Sequence, residues 1–385
     1  MKLTHSLVLL MCFLLSFQAC KSPENRSQHK TTYLFIGTYT SGNPSDGIYV
    51  YSLNTLSGSL SKVSNSHNIT NPSYITLSPD GTHLYACTET RIHNAGSISS
   101  FSFDSISGQF SFINKQPTDG ENPVYITLNK TSKWLISANY TSGSVSVFPI
   151  YPDGSLQPHS QLIQFTDSSI NEDRQDSAHL HSVVFSPNQD YLFAPDLGAD
   201  KIRVFTFDSL NSKPLQASTS PFFKTNPGSG PRHITFHPDG RYAYCNEELS
   251  GNVSAYNYQN GQLSPIQRIA SYAGKQNEYG CADIHISPDG RFLYSSNRED
   301  EHSITIFSID TSTGLLTLTG HQSTLGLHPR NFVIDPTGKY LLVANQFSNN
   351  VVVFNRDAST GLLKYTGNQI IIPNPSCLQM RTYCK

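Results

Sequence analysis

Residues 284–307 read IHISPDGRFLYSSNREDEHSITIF, and this stretch decides the fold. A turn, Ser287-Pro288-Asp289-Gly290, separates two short apolar runs, the second being Phe292-Leu293-Tyr294. Pro presets its φ and Gly accepts a positive one, so the phrase is turn chemistry. A polar corner follows, then the alternating stretch Ser303-Ile304-Thr305-Ile306-Phe307. Gly314-Leu315-Leu316 ends the unit with a further turn and a weak strand. Alternation of period two with β-branched and aromatic residues predicts strands, not helices.

The same unit recurs along the chain. Ser78-Pro79-Asp80-Gly81 and His237-Pro238-Asp239-Gly240 are close copies of the turn. Ser186-Pro187-Asn188-Gln189, Asp335-Pro336-Thr337-Gly338 and Asn129-Lys130-Thr131-Ser132 are looser ones. Their fourth positions fall at 81, 132, 189, 240, 290 and 338, spaced by 51, 57, 51, 50 and 48 residues. A period near 50 marks a repeat architecture. Each unit predicts four strands, A to D, with the Pro-Asp-Gly turn joining A to B.

Complete units begin near residues 72, 123, 180, 231, 281 and 329. Tyr33–Thr38 and Ile48–Tyr51 match strands B and C but have no strand A before them. Asn374-Pro375-Ser376-Cys377-Leu378 matches the start of strand A and has no B after it. Six full units and one split unit make seven. The prediction is an all-β fold, a seven-bladed β-propeller of four antiparallel strands per blade. The C-terminal A strand joins the N-terminal B, C and D strands, closing the ring and removing exposed sheet edges. A single propeller is expected over residues 33–385.

The N-terminus is a separate element. Lys2 precedes the apolar run Leu7–Phe17, which is too short to span a bilayer and fits a signal-peptide core. Gln18-Ala19-Cys20 resembles a bacterial lipobox, with Phe17 where Leu is usual. The reading is a signal peptide over residues 1–19, lipidation at Cys20, and a flexible tether over residues 20–32. The protein is then exported to the bacterial cell envelope and meets the membrane only through this anchor. Lys+Arg 26 against Asp+Glu 28 leaves no basic excess for a nucleic-acid backbone. Cys87, Cys245 and Cys281 lie in apolar strand contexts and read as buried thiols. No CxxC pair occurs, and neither a metal nor a cofactor is expected.

Strands that run up and down put the B-to-C corner and the D-to-A loop on one face, around the channel mouth. The corner residues, seven and eight past the turn, are Thr38-Tyr39, Thr88-Glu89, Asn139-Tyr140, Asp196-Leu197, Glu247-Glu248, Asn297-Arg298 and Asn345-Gln346. At the start of strand A, ionisable residues gather in four consecutive units. Together with the corners, these units supply His179, His181, Asp196, Arg232, His233, Glu247, Glu248, Asp283, His285, Arg298, His328 and Arg330. Arginines bind carboxylate or phosphate, and a carboxylate beside histidine suits acid–base work. A site for a small anion is expected there.

Several of these strings carry a family resemblance: His179-Leu180-His181-Ser182-Val183, Pro195–Asp200, Gly230-Pro231-Arg232-His233, Pro238–Leu249 and His328-Pro329-Arg330-Asn331-Phe332. They resemble the lactonase family of seven-bladed propellers, which includes propeller-type 6-phosphogluconolactonases and fungal carboxy-muconate lactonising enzymes. The resemblance covers roughly residues 33 to 382. It implies a lactone hydrolase in carbohydrate metabolism, with a small anionic lactone or sugar acid as substrate.

The resemblance also implies a catalytic set of His181, Arg232, Glu248 and Arg298. His179, Asp196, His233, Glu247, Asp283, His285, His328 and Arg330 are expected to bind substrate. The family usually has Asn-Glu-Leu at the corner where this chain has Glu247-Glu248-Leu249, which leaves open which Glu acts. In this reading Glu248 activates or organises the attacking water, Arg232 and Arg298 hold the anion and oxyanion, and His181 protonates the ring oxygen. No Gly-x-Ser-x-Gly elbow is present, which disfavours a serine acyl-enzyme. Two other readings stay open: a cycloisomerase acting on a muconate-like dicarboxylate, and a surface-tethered propeller that only binds.

Overall fold

A computed structural model describes residues 30–42, 45–66, 69–93 and 95–384. The expected signal peptide and the expected lipidation at Cys20 lie outside these residues. The described chain forms 28 strands in seven four-stranded antiparallel sheets, one sheet per blade. Blade 1 is the split one: β1 (Lys30–Thr38), β2 (Ile48–Leu53) and β3 (Leu60–Asn65) from the N-terminus, with β28 (Pro375–Cys384) as its strand A. Strand A of blades 2 to 7 is, in order, β4 (Ile75–Leu77), β8 (Pro123–Leu128), β12 (Val184–Phe185), β16 (Pro231–Phe236), β20 (Cys281–Ile286) and β24 (Pro329–Ile334).

Ring closure rests on β1 and β28, which pair from Lys30↔Cys384 to Gly37↔Cys377. Lys30, Thr31 and Thr32, expected in the tether, therefore belong to the propeller. They pair with Cys384, Tyr383 and Thr382, and the hydroxyls of Thr32 and Thr382 lie 2.8 Å apart. Extending the strand satisfies backbone groups that a free tether would leave to water.

The strand B sequences are apolar without alternation because both faces are buried. In β25 (Tyr340–Asn345), Tyr340, Leu342 and Ala344 pack against Leu34, Ile36 and Tyr49 of blade 1. Leu341 and Val343 pack the other way, against Phe292, Tyr294 and Ile304 of blade 6. Each such aliphatic side chain contributes roughly 1.5–3 kcal/mol by leaving water. The core is thus a circle of inter-blade layers rather than one central cluster.

The A-to-B turns lie on the face opposite the channel mouth. Gly81, Gly240, Gly290 and Gly338 hold φ between 72° and 77°, and Ser132 and Gln189 occupy the same slot at 54° and 60°. The shared left-handed conformation explains why four of the six turns keep Gly there. Cys87, Cys245, Cys281 and Cys377 are buried, Cys384 is exposed, and all five are free thiols.

Candidate active site

Successive residues along a strand point to opposite sides. That rule sorts the B-to-C corners. The residue seven past the turn faces away from the channel mouth and is buried in every blade. Thr38 donates to Gly47 O (2.7 Å), Asn139 to Ser144 Oγ (3.0 Å), and Asn345 to Thr324 O (3.0 Å). In five of the seven blades the residue eight past the turn faces the channel mouth: Tyr39, Glu89, Tyr140, Glu248 and Arg298 all line one cavity of about 470 Å³. The start of strand A adds Asn122, Val124, His179, His181 and Arg330, and the loops add Arg91, Asp173 and Arg174.

Glu248 is the centre of this wall. Its Oε2 lies 2.8 Å from Arg232 Nε and 3.1 Å from Arg298 Nη2, and its Oε1 lies 2.7 Å from Arg174 Nη2. Burial alone would raise its carboxyl, but the Arg298, Arg232 and Arg174 guanidiniums together hold it well below the usual carboxylate range. The arginines are themselves anchored. Arg298 Nε donates to Gly280 O (3.0 Å), and Arg232 Nη1 donates to Ala282 O and to His233 Nε2 (3.0 Å for the latter).

His181 stands beside them. Its ring meets Tyr140 edge-on at 5.4 Å and His233 at 5.3 Å, and its buried Nδ1 has no hydrogen-bond partner. Burial, then Arg232 and His233, push its pKa well below the ordinary value, so it is neutral at pH 7. On the facing wall, Tyr39 donates to Glu89 (2.7 Å) and Arg330 lies over the Tyr39 ring at 5.3 Å. Four arginines against three carboxylates line the cavity, with Arg232 just beneath, so its field favours an anion.

The profile of the lactonase, seven-bladed β-propeller family matches residues 33–380 of this chain. The chain belongs to that family. A 6-phosphogluconolactonase of Formosa agariphila is 45% identical over 351 residues, covering 91% of this chain and 99% of the relative. A 6-phosphogluconolactonase of Bacillus subtilis is 36% identical, covering 91% and 98%. Among solved structures, the periplasmic gluconolactonase of Pseudomonas aeruginosa is 38% identical with a TM-score of 0.86, covering 91% and 99%.

Against that family pattern, this lactonase propeller brings His181, Glu248 and Arg298 to the cavity wall, with Arg232 against Glu248 just below. Of the eight residues expected to bind substrate, His179 and Arg330 line the cavity. Asp196 and Glu247 do not. Both occupy the inward corner position: Asp196 pairs with Arg203 (2.7 Å), and Glu247 with Arg268 (2.7 Å) and Ser254 (2.6 Å). His233, Asp283 and His285 form a hydrogen-bonded group below the floor. His328 sits behind the wall, stacked on Phe347 at 4.1 Å with Nε2 3.4 Å from Arg298 Nη1.

The residues missed were Arg174, Arg91, Asp173, Tyr39, Glu89 and Tyr140. The last three were in the corner list and share the register of Glu248, so the repeat itself held the signal. Arg174 and Asp173 come from the D-to-A loop before β12, where no repeat aligns them. Another hollow of about 660 Å³ lies on the turn face, around Lys130, Lys133, Trp134 and Tyr151. It presents no arginine–carboxylate cluster. Among the described residues, no group of His, Cys, Asp or Glu is arranged to hold a metal.

Proposed function

We propose that this protein hydrolyses a sugar-type lactone carrying negative charge, and that Glu248, Arg232, Arg298 and His181 perform the step. The observation that carries this reading is the pairing of one buried carboxylate with three arginines beside an unpartnered neutral imidazole, all at one cavity. The names of the lactonase relatives support the same chemistry.

The roles follow from the electrostatics. A general base works best with a pKa near the operating pH. Glu248 is held far below that, so its task is to aim the arginines and orient a water. Arg232 and Arg298 then face the carbonyl oxygen as it becomes an oxyanion. His181 takes the proton of the attacking water and returns it to the ring oxygen as the acyl C–O bond breaks. Burial first, then Arg232, His233 and Arg330, hold the His181 pKa down; a substrate anion set against Arg232 and Arg330 would offset the arginine charges and bring the imidazole nearer the working pH. The product is the open hydroxy acid, which ionises at neutral pH.

The leader, and the periplasmic location of the Pseudomonas relative, support export, and the lipobox supports anchoring at Cys20. With β1 starting at Lys30, nine residues separate the anchor from the propeller, a reach of about 30 Å. Lys30 starts strand B at the turn face, so an anchor at Cys20 would join the propeller on the side opposite the cavity. Replacing Cys20 by Ser should release the protein into the soluble fraction; unchanged membrane association would exclude the anchor.

The catalytic proposal is tested by incubating wild type and Glu248→Gln with sugar lactones, with and without phosphate, and following the open acid by NMR. Full activity of the variant on every lactone that the wild type opens would overturn the assignment.

A further inference from the structure

Asp283 is the most heavily engaged carboxylate below the cavity. Its Oδ1 accepts from His233 Nδ1 (2.9 Å) and from Ile284 N (3.0 Å). Its Oδ2 accepts from His285 Nε2 (2.9 Å), Asn331 Nδ2 and Phe332 N (3.3 Å). A carboxylate offers about four lone-pair sites, so none remains for a ligand. Asp283 is 3% exposed and does not line the cavity. Its donors come from β16, β20 and β24, where three blades meet.

The contact with His233 reaches the site. A carboxylate only accepts and a guanidinium only donates. His233 lies between the two, with Nδ1 on Asp283 and Nε2 3.0 Å from Arg232 Nη1. Nδ1 must therefore carry the proton and Nε2 must offer its lone pair. The other tautomer would put a lone pair against Asp283 and an N–H against Arg232. Ala282, beside Asp283 on β20, accepts from the same Arg232 Nη1. Two adjacent residues of blade 6 thus fix one end of the guanidinium of blade 5, whose Nε lies 2.8 Å from Glu248.

We propose that Asp283 is a positioning residue that selects the Nδ1–H tautomer of His233 and through it aims Arg232 at Glu248 and the reacting carbonyl. The proposal rests on the lactonase reading for its kinetic consequence, but not for its structural one. Burial, then Arg232, lower the His233 pKa to about 4, so the imidazole keeps a single neutral form across the working range. Misplacing a catalytic group by about 1 Å can cost about 100-fold in rate.

The test combines kinetics with imidazole ¹⁵N NMR on the full chain. In the wild type, His233 should show a protonated Nδ1 and an unprotonated Nε2. Asp283→Asn should lose that single tautomer and lower kcat by up to about 100-fold, with KM within about threefold. His233→Asn can still donate to Asp283, but its shorter side chain puts no acceptor at the Nε2 position facing Arg232, and it should lower kcat similarly. A wild-type spectrum with Nε2 protonated would overturn the proposal, even if neither variant folds. So would a folded variant of either kind with unchanged kcat. Wild type inert on all lactones would instead count against the lactonase reading, since the spectrum needs no substrate.

Discussion

Glu247 and Glu248 are neighbours in sequence, yet their carboxylates serve different parts of the molecule. Glu247 pairs with Arg268 at 2.7 Å inside blade 5, while Glu248 meets Arg232 at 2.8 Å at the cavity. Their substitutions should therefore separate stability from catalysis. Glu247→Gln should lower stability by about 1–3 kcal/mol, since a buried charge pair is broken but Arg268 retains solvent access. Its kcat should stay within threefold. Glu248→Gln should lower kcat/KM about 100-fold. Thermal melts and steady-state kinetics on the two purified variants check both.

The imidazoles set the acid limit of stability. Burial holds His233 at about 4 and His328 at about 2, and His181 lies well below its ordinary value. An unfolded chain protonates these groups near pH 6.5. Below that pH the unfolded state binds protons that the native state refuses, so stability falls as pH falls. Each such proton costs about 1.4 kcal/mol per pH unit. Glu248 and Asp283 add to the loss at lower pH, because their depressed pKa values contribute stability only while they are ionised. His285 acts in the other direction: Asp283 raises it against burial, so its contribution fades as pH rises above neutrality. Calorimetry should show the melting temperature falling steadily from pH 7 to pH 5; a flat profile would contradict the neutral imidazoles.

The arginine excess should make small anions competitive inhibitors. Inorganic phosphate is expected to raise KM without changing kcat. Arg330→Gln removes a charge on the wall facing Glu248 and should weaken phosphate inhibition about tenfold, read as the shift in Ki.

Closure of the ring should be required for folding. Truncation after Asn374 removes β28, the partner of β1 over the whole of that strand. It also removes Leu378 N, which donates to Asn331 Oδ1 at 2.6 Å. The truncated chain should lose its cooperative melt by circular dichroism.

The fold was legible because it repeats. Six turns at a near-constant spacing, with three strands of a unit at the N-terminus and one at the C-terminus, dictate both the blade count and the closure. The site was legible only where the repeat supplied a register. Counting from the turn Gly placed Tyr39, Glu89, Tyr140, Glu248 and Arg298 at one structural position. The alternation that turns Glu247 and Asp196 inward was available from the same count, but charge drew both into the expected site. Arg174 could not be found this way. It projects from a loop whose length is peculiar to one blade, and only the three-dimensional path brings it 2.7 Å from Glu248. Asp283 was noticed for its charge, yet its five donors, which occupy it fully, come from three different blades.

The central claim is that the Glu248 cluster and His181 open a lactone. The most direct measurement is proton release in a pH-stat at pH 7, with wild type, Glu248→Gln and His181→Phe each given the same sugar lactones. The account predicts one proton released per lactone opened by the wild type, with both variants reduced about 100-fold or more. Release by the wild type no faster than the spontaneous rate on every lactone, or undiminished release by either variant, would contradict it.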